Sequence, residues 1–176
     1  MKKLFTILLF LLQLLVFSQA DMHINNVEAF FMSDSSATVN IYPFKDSKQH
    51  EIVTIKKTEP YDYVLVLIKK SEGGWFQIKN ISYAPLAVDS TISKFNGAWL
   101  YDPKLYINLV GSDSVPLYTK PVKNATCINV PQQKVQVLKT RQGWAMVKCT
   151  INGKTQQGWV YRKNQCAFPW TICNWN

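Results

Sequence analysis

Short runs in which apolar and polar positions alternate dominate the chain. "TVNIY", "HEIVTI", "YVLVLI", "WFQIKNI", "KVQVL" and "WAMVKCTI" are rich in β-branched and aromatic residues and are bounded by Gly, Ser, Asp, Asn or Pro, as strands and their turns are. Asn152-Gly153, between two such runs, suits a type I′ hairpin, which needs positive φ at both central residues. Beyond the first twenty residues no stretch sustains a 3.6-residue period, so helices are expected to be few and short. The fold class predicted from this pattern is all-β.

The pattern occurs twice. "VPLYTKPVKNATCINV", "KVQVLKTRQGWAMVK" and "QGWVY" follow one another in the second half, and "VNIYPFKDSKQHEIVTI", "YVLVLIKKSEGGWFQIK" and "GAWLY" do so upstream. Tyr42 aligns with Tyr118, Val66-Leu67 with Val137-Leu138, Trp75 with Trp144 and Trp99 with Trp159, and Ser-Asp-Ser precedes each copy at 33–35 and 112–114. Repeats of this kind imply repeated structural units. The first copy carries two extra residues, assigned to the turn before Trp75, and a longer insertion, "ISYAPLAVDSTISKF", as surface loops tolerate. A boundary near 106–108 divides residues 21–107 from residues 108–176, and five or so short strands in each predict two tandem small β-barrels.

Within the second copy, Val115 to Tyr118, "KVQVL", Gly143-Trp144-Ala145-Met146-Val147-Lys148 and the closing "NGKTQQGWV" resemble the bacterial SH3 (SH3b) domain. The likeness covers residues 108–165; the first copy is similar but degenerate, its closing hairpin replaced by the insertion. The resemblance implies two SH3-like barrels, in which each Gly-Trp pair starts a strand and each indole covers one end of a core too small to close alone. It also implies a shallow aromatic groove for extended peptides. The candidate ligand-binding residues are Tyr118, Trp144 and Tyr161 in the second module and Tyr42, Trp75 and Tyr101 in the first. The tryptophans are structural before they are ligand contacts.

The ends and the charge add a compartment. Lys2-Lys3, the apolar "LFTILLFLLQLLVF" and small residues at Ser18 and Ala20 have the layout of a cleaved signal peptide over residues 1–20. The expected location is therefore periplasmic or extracellular. Cys127, Cys149, Cys166 and Cys173 all lie in the second half; in an oxidising compartment an even count predicts two disulfides. Three connectivities are open, and short loops favour Cys127 with Cys149 and Cys166 with Cys173. The tail "CAFPWTICNWN" is expected to fold back as a stapled cap. The net charge of +9 is uneven: residues 21–113 hold eleven acids and nine bases, whereas 114–176 hold nine bases and no Asp or Glu. This asymmetry suggests an anionic partner for the second half, or docking of the basic half on the acidic one.

Chemistry beyond binding finds little support. The sequence has no G-x-S-x-G, S-x-x-K, H-E-x-x-H, P-loop or dinucleotide fingerprint. There is no C-x-x-C, His23 and His50 lie far along the chain from the cysteines, and any carboxylate pair would have to sit in the first half. No enzyme activity, cofactor or metal is expected. The expected partner is cell-wall peptide, peptidoglycan or another anionic envelope polymer, with an envelope protein, bound as by an inhibitor or immunity-type factor, as the alternative. Export and scattered lysines set nucleic acid aside.

Overall fold

The computed structural model describes residues 25–31, 36–56, 63–84 and 95–167. The expected signal peptide, residues 85–94 of the insertion, and the tail 168–176 with Cys173 lie outside them. The fold is all-β, with strands β1 (Val27–Phe31), β2 (Ser36–Ile41), β3 (Glu51–Lys56), β4 (Tyr63–Glu72), β5 (Trp75–Ala84), β6 (Trp99–Tyr101) and β7 (Leu105–Leu109). There follow β8 (Val115–Tyr118), β9 (Cys127–Val130), β10 (Lys134–Arg141), β11 (Trp144–Ile151), β12 (Lys154–Tyr161), a 3-10 turn at Arg162–Asn164, and β13 (Gln165–Cys166). No helix among the described residues is long and apolar enough to cross a membrane.

Turn chemistry sets the hairpins. Gly73-Gly74 (φ 56° and 83°), Gln142-Gly143 (47° and 77°) and Asn152-Gly153 (49° and 76°) each join two strands through a pair of positive φ angles. That is the type I′ geometry, whose twist matches that of the flanking strands. The loops before Trp75 and Trp144 are therefore the same length, and the two extra residues do not lie in the turn. Counted back from the turns, Ile68 occupies the place of Val137 and Val66 that of Val135: Ile68 pairs with Ile78 and Val137 with Val147. The alignment of Val66-Leu67 with Val137-Leu138 is thus corrected by two positions. Lys69 and Leu138 are the matching bulges, each without a partner in its ladder. A bulge inverts the strand's alternation, and β10 accordingly buries Val135 and Val137, then Thr140.

One pairing scheme is built twice. In the first half β1 pairs β4, β4 pairs β5, β5 pairs β6, β2 pairs β3, and a bridge from Tyr42 to Trp99 ties that ribbon to β6. In the second half β7 pairs β10, β10 pairs β11, β11 pairs β12, β8 pairs β9, and Trp159 to Tyr118 ties β12 to β8. The ladders among the described residues run as one open sheet, β6-β5-β4-β1-β7-β10-β11-β12-β8-β9.

β7 belongs to both halves. Leu105, four residues after Tyr101, pairs with Phe31 at the end of β1, and Gln165, four residues after Tyr161, pairs with Leu109 at the end of β7. The start of β7 thus returns to the first strand of the first half as β13 returns to the first strand of the second. The boundary expected at 106–108 falls inside this shared strand, where Leu105, Ile107 and Leu109 are at most 1% exposed. Buried residues of both halves form one connected core from Val27 to Val160, and Phe30, Leu65 and Ala167 form a small second cluster.

Gly158 differs from the expectation that it starts a strand: it lies inside β12. A Cβ there would come within 2.5 Å of Leu117 Cγ and 3.0 Å of the Tyr118 carbonyl oxygen. Glycine is needed for the close approach of β8, whereas Gly143 supplies the positive φ of a turn.

Candidate functional site

The six aromatic candidates gather into two clusters of the same design. Each tryptophan is the first residue after a type I′ turn, and its cross-strand partner is a tyrosine: Trp75 faces Tyr101 and Trp144 faces Tyr161. A second tyrosine arrives from the strand end beside β6 or β12. Ring centroids lie 4.9 Å apart for Tyr42–Trp75 and for Trp75–Tyr101, and 5.3 and 4.9 Å apart for Tyr118–Trp144 and Trp144–Tyr161. Tyr42 and Tyr118 meet their tryptophans edge to face, at 80° and 89°, the orientation that the ring quadrupoles favour.

Burial separates the roles. Trp75 and Trp144 are 8% and 7% exposed, so they are core residues first. The tyrosines are the outward layer: Tyr42, Tyr118 and Tyr161 are half-buried, and Tyr101 is 57% exposed. Each cluster therefore presents its tyrosines outward, with the indole behind them.

The clusters differ in charge. The residue opposite Trp75 on β4 is Glu72, and the one opposite Trp144 on β10 is Arg141. Glu72 accepts a hydrogen bond from Lys45 Nζ at 2.9 Å, and this contact holds its carboxyl below the usual range while raising the Lys45 ammonium. His50 stands against Tyr42 at 5.3 Å, and the Lys123 ammonium lies 4.5 Å from the Tyr161 ring centre. The first cluster is bordered by an ion pair and an imidazole, the second by two cations.

The cysteines require a correction. Cys127 and Cys149 are not bridged: both are free thiols, the first exposed and the second buried. Cys127 lies on β9 at the sheet edge and Cys149 on β11, with β12 and β8 between them in the sheet order. Cys149 is directed into the core, whose burial pushes its thiol pKa up. Cys166 is disulfide-bonded, and its partner lies outside the described residues.

Sequence reasoning missed a second concave surface. A cleft of about 880 Å³ runs along the seam between β4 and β10, and Lys69, Lys70, Lys79, Lys139 and Arg141 line it together with Trp159. Among the described residues no Asp or Glu lines it. Its lysines look scattered along the chain because the two halves contribute separately, and three of the five cations come from the half that is acidic overall. The repeat itself held the signal: Lys70 and Lys139 occupy one position in the two copies, five residues before Trp75 and Trp144.

No family model, characterised protein or solved structure matches the chain.

Proposed function

We propose that this is an exported, non-enzymatic binding protein of two SH3b-like modules that share β7, and that its aromatic clusters hold an extended cell-wall peptide. The observation that carries this reading is the recurrence of one Tyr-Trp-Tyr arrangement at matching places in both halves. A core needs the tryptophan there; it does not need two tyrosines left outside it, and doing so twice supplies two like subsites above one connected core. Tyrosine suits peptide contact, presenting a large apolar area and a polar tip at little entropic cost. The repeated pairing scheme, with β13 returning to β7, supports the two-module reading.

The test is sedimentation of the mature chain with purified peptidoglycan at low and high salt. Retention in both conditions, lost in a Tyr118→Ala/Tyr161→Ala variant whose melting is unchanged, supports the reading. Equal retention of that variant overturns the assignment of the clusters. Failure of the native chain to sediment overturns the cell-wall ligand in favour of an envelope protein as partner.

A further inference from the structure

The cleft along the β4–β10 seam shares Arg141 with the border of the second aromatic cluster but none of the six clustered aromatic residues. Its floor is the hydrogen-bonded pair Ser71 and Thr140, in which the Thr140 N–H donates to Ser71 Oγ at 2.6 Å and Ser71 Oγ donates to the Thr140 carbonyl at 3.3 Å. Lys70 and Lys139 precede these residues on the two strands, Lys69 and Lys79 occupy bulge positions beside them, and Arg141 follows Thr140. None of the five takes part in an ion pair among the described residues. Five like charges around one concavity repel one another; Lys70 feels the Glu72 carboxylate nearby, but no described carboxylate lines the cleft itself, and an anion is the group that relieves the repulsion.

Two further features say what kind of anion. Trp159 is half-buried on the cleft wall. Its counterpart Trp99 has the Lys70 ammonium over its ring at 5.2 Å, whereas no cation covers the Trp159 ring among the described residues. An uncovered indole beside cations is a platform for the C–H face of a sugar. Asn25, Asn96 and Gln142, whose side chains are amides, line the same cleft. Amides both donate and accept, which matches neighbouring sugar hydroxyls; a bare phosphate chain, which mainly accepts, would leave the amide oxygens unused. On the floor, Thr140 is 7% exposed and its hydroxyl has no partner. The volume suits a short oligosaccharide segment.

We propose that this cleft binds an anionic glycan, with its acidic groups on Lys70, Lys139 and Arg141 and one sugar ring against Trp159. The site lies outside the peptide-binding tyrosines, so it goes beyond the function proposed above and can fail or succeed independently of it.

The experiment is calorimetric titration of the mature chain with a sulfated dextran oligosaccharide, a neutral dextran of equal length, and polyphosphate. Sulfated dextran is expected to bind, neutral dextran not to bind, and polyphosphate to bind more weakly. The variant Lys70→Gln/Lys139→Gln, two exposed positions, is expected to weaken sulfated dextran binding about 10-fold or more and to flatten its salt dependence. The Trp159 indole N–H resonance should shift on titration with sulfated dextran and not with polyphosphate. Tyr118→Ala/Tyr161→Ala should leave sulfated dextran binding unchanged, which separates this site from the clusters. Unchanged affinity in the double lysine variant, or polyphosphate binding as tightly as the sulfated glycan, overturns the proposal.

Discussion

Ser71 and Thr140, equivalent residues of the two copies, are hydrogen-bonded to each other. Each stands four residues before the central tryptophan of its copy, and the Thr140 N–H meets Ser71 Oγ at 2.6 Å. The copies therefore touch at corresponding points on β4 and β10, as well as through the pairing of β1 with β7. Because the seam brings like positions together, it also brings like charges together, and the basic cleft follows from the duplicated lysine beside this pair.

Removing the hydroxyl should loosen that seam. Ser71→Ala leaves the Thr140 N–H without its acceptor in a part-buried place, a loss of about 1–3 kcal/mol, and Ser71→Thr should restore most of it. Urea unfolding of the two variants checks this. Equal midpoints for Ser71→Ala and the native chain would remove the pair from the account of how the halves associate.

Trp144→Ala should destabilise the protein by about 3–5 kcal/mol, the range for losing a large core aromatic. Trp144 and Trp75 are 7% and 8% exposed, so Trp75→Ala should cost a similar amount. With one connected core, either change should lower a single cooperative transition rather than split it. Thermal unfolding monitored at two probes would show the alternative, two separate transitions, if the halves were energetically independent.

Much of this was legible in the chain because turns and cores impose local rules. Asn152-Gly153 marks its hairpin, and Trp75 and Trp144 mark the residue after the equivalent I′ turns of the two copies. Two features followed different rules. The two extra residues of the first copy lengthen β4, which has 10 residues against 8 in β10, and equal loops with unequal strands look in the sequence like an insertion in the turn. Strand β7 serves both halves, a sharing that no local pattern encodes, because Leu105, Ile107 and Leu109 alternate as any half-buried strand does. Loop length favours a Cys127–Cys149 bridge, but it says nothing about which strand or face each cysteine occupies, and the two are free thiols with two strands between them. The candidate tyrosines and tryptophans could be found from the repeat; for the cleft the repeat shows only the duplicated lysine, Lys70 and Lys139, because its cations converge only when β4 meets β10.

Sharing of β7 predicts where the chain can be cut. A fragment of residues 104–176 retains Leu105, Ile107 and Leu109, each at most 1% exposed, whereas one of residues 108–176 lacks the first two. Each lost side chain removes about 1.5–3 kcal/mol of burial, a large part of the stability of so small a unit. The shorter fragment should show no cooperative unfolding by circular dichroism while the longer retains it. Cooperative folding of both would mean that β7 is dispensable to the second half.

Gly158→Ala should be worse than Gly153→Ala, although Gly153 has the positive φ. At Gly153 a Cβ meets nothing within 4 Å, and the change strains only the turn, by about 1 kcal/mol. At Gly158 it would press on the Tyr118 carbonyl oxygen at 3.0 Å as well as on Leu117, and backbone cannot swing aside as a side chain can; overpacking of this kind costs about 1–3 kcal/mol. Denaturant midpoints of the two variants decide the order, and the reverse ranking would place the strain in the turn.

Two bridges would leave no cysteine to label, whereas the structure predicts one fast site. Cys127 is exposed and free, so a thiol reagent should modify it in native protein, and Cys149 should react only on unfolding. The Cys149 thiol is also raised by burial. A group whose folded pKa exceeds its unfolded value stabilises the fold fully below the unfolded pKa, and that contribution is lost as pH rises through the folded value. Stability should therefore fall as pH climbs past the ordinary thiol range, and more in the native chain than in Cys149→Val, which has no thiol to ionise. Equal alkaline losses in the two proteins would assign the decline to lysines and tyrosines. Two thiols labelled at equal rates in native protein would mean that Cys149 is not sealed in the core.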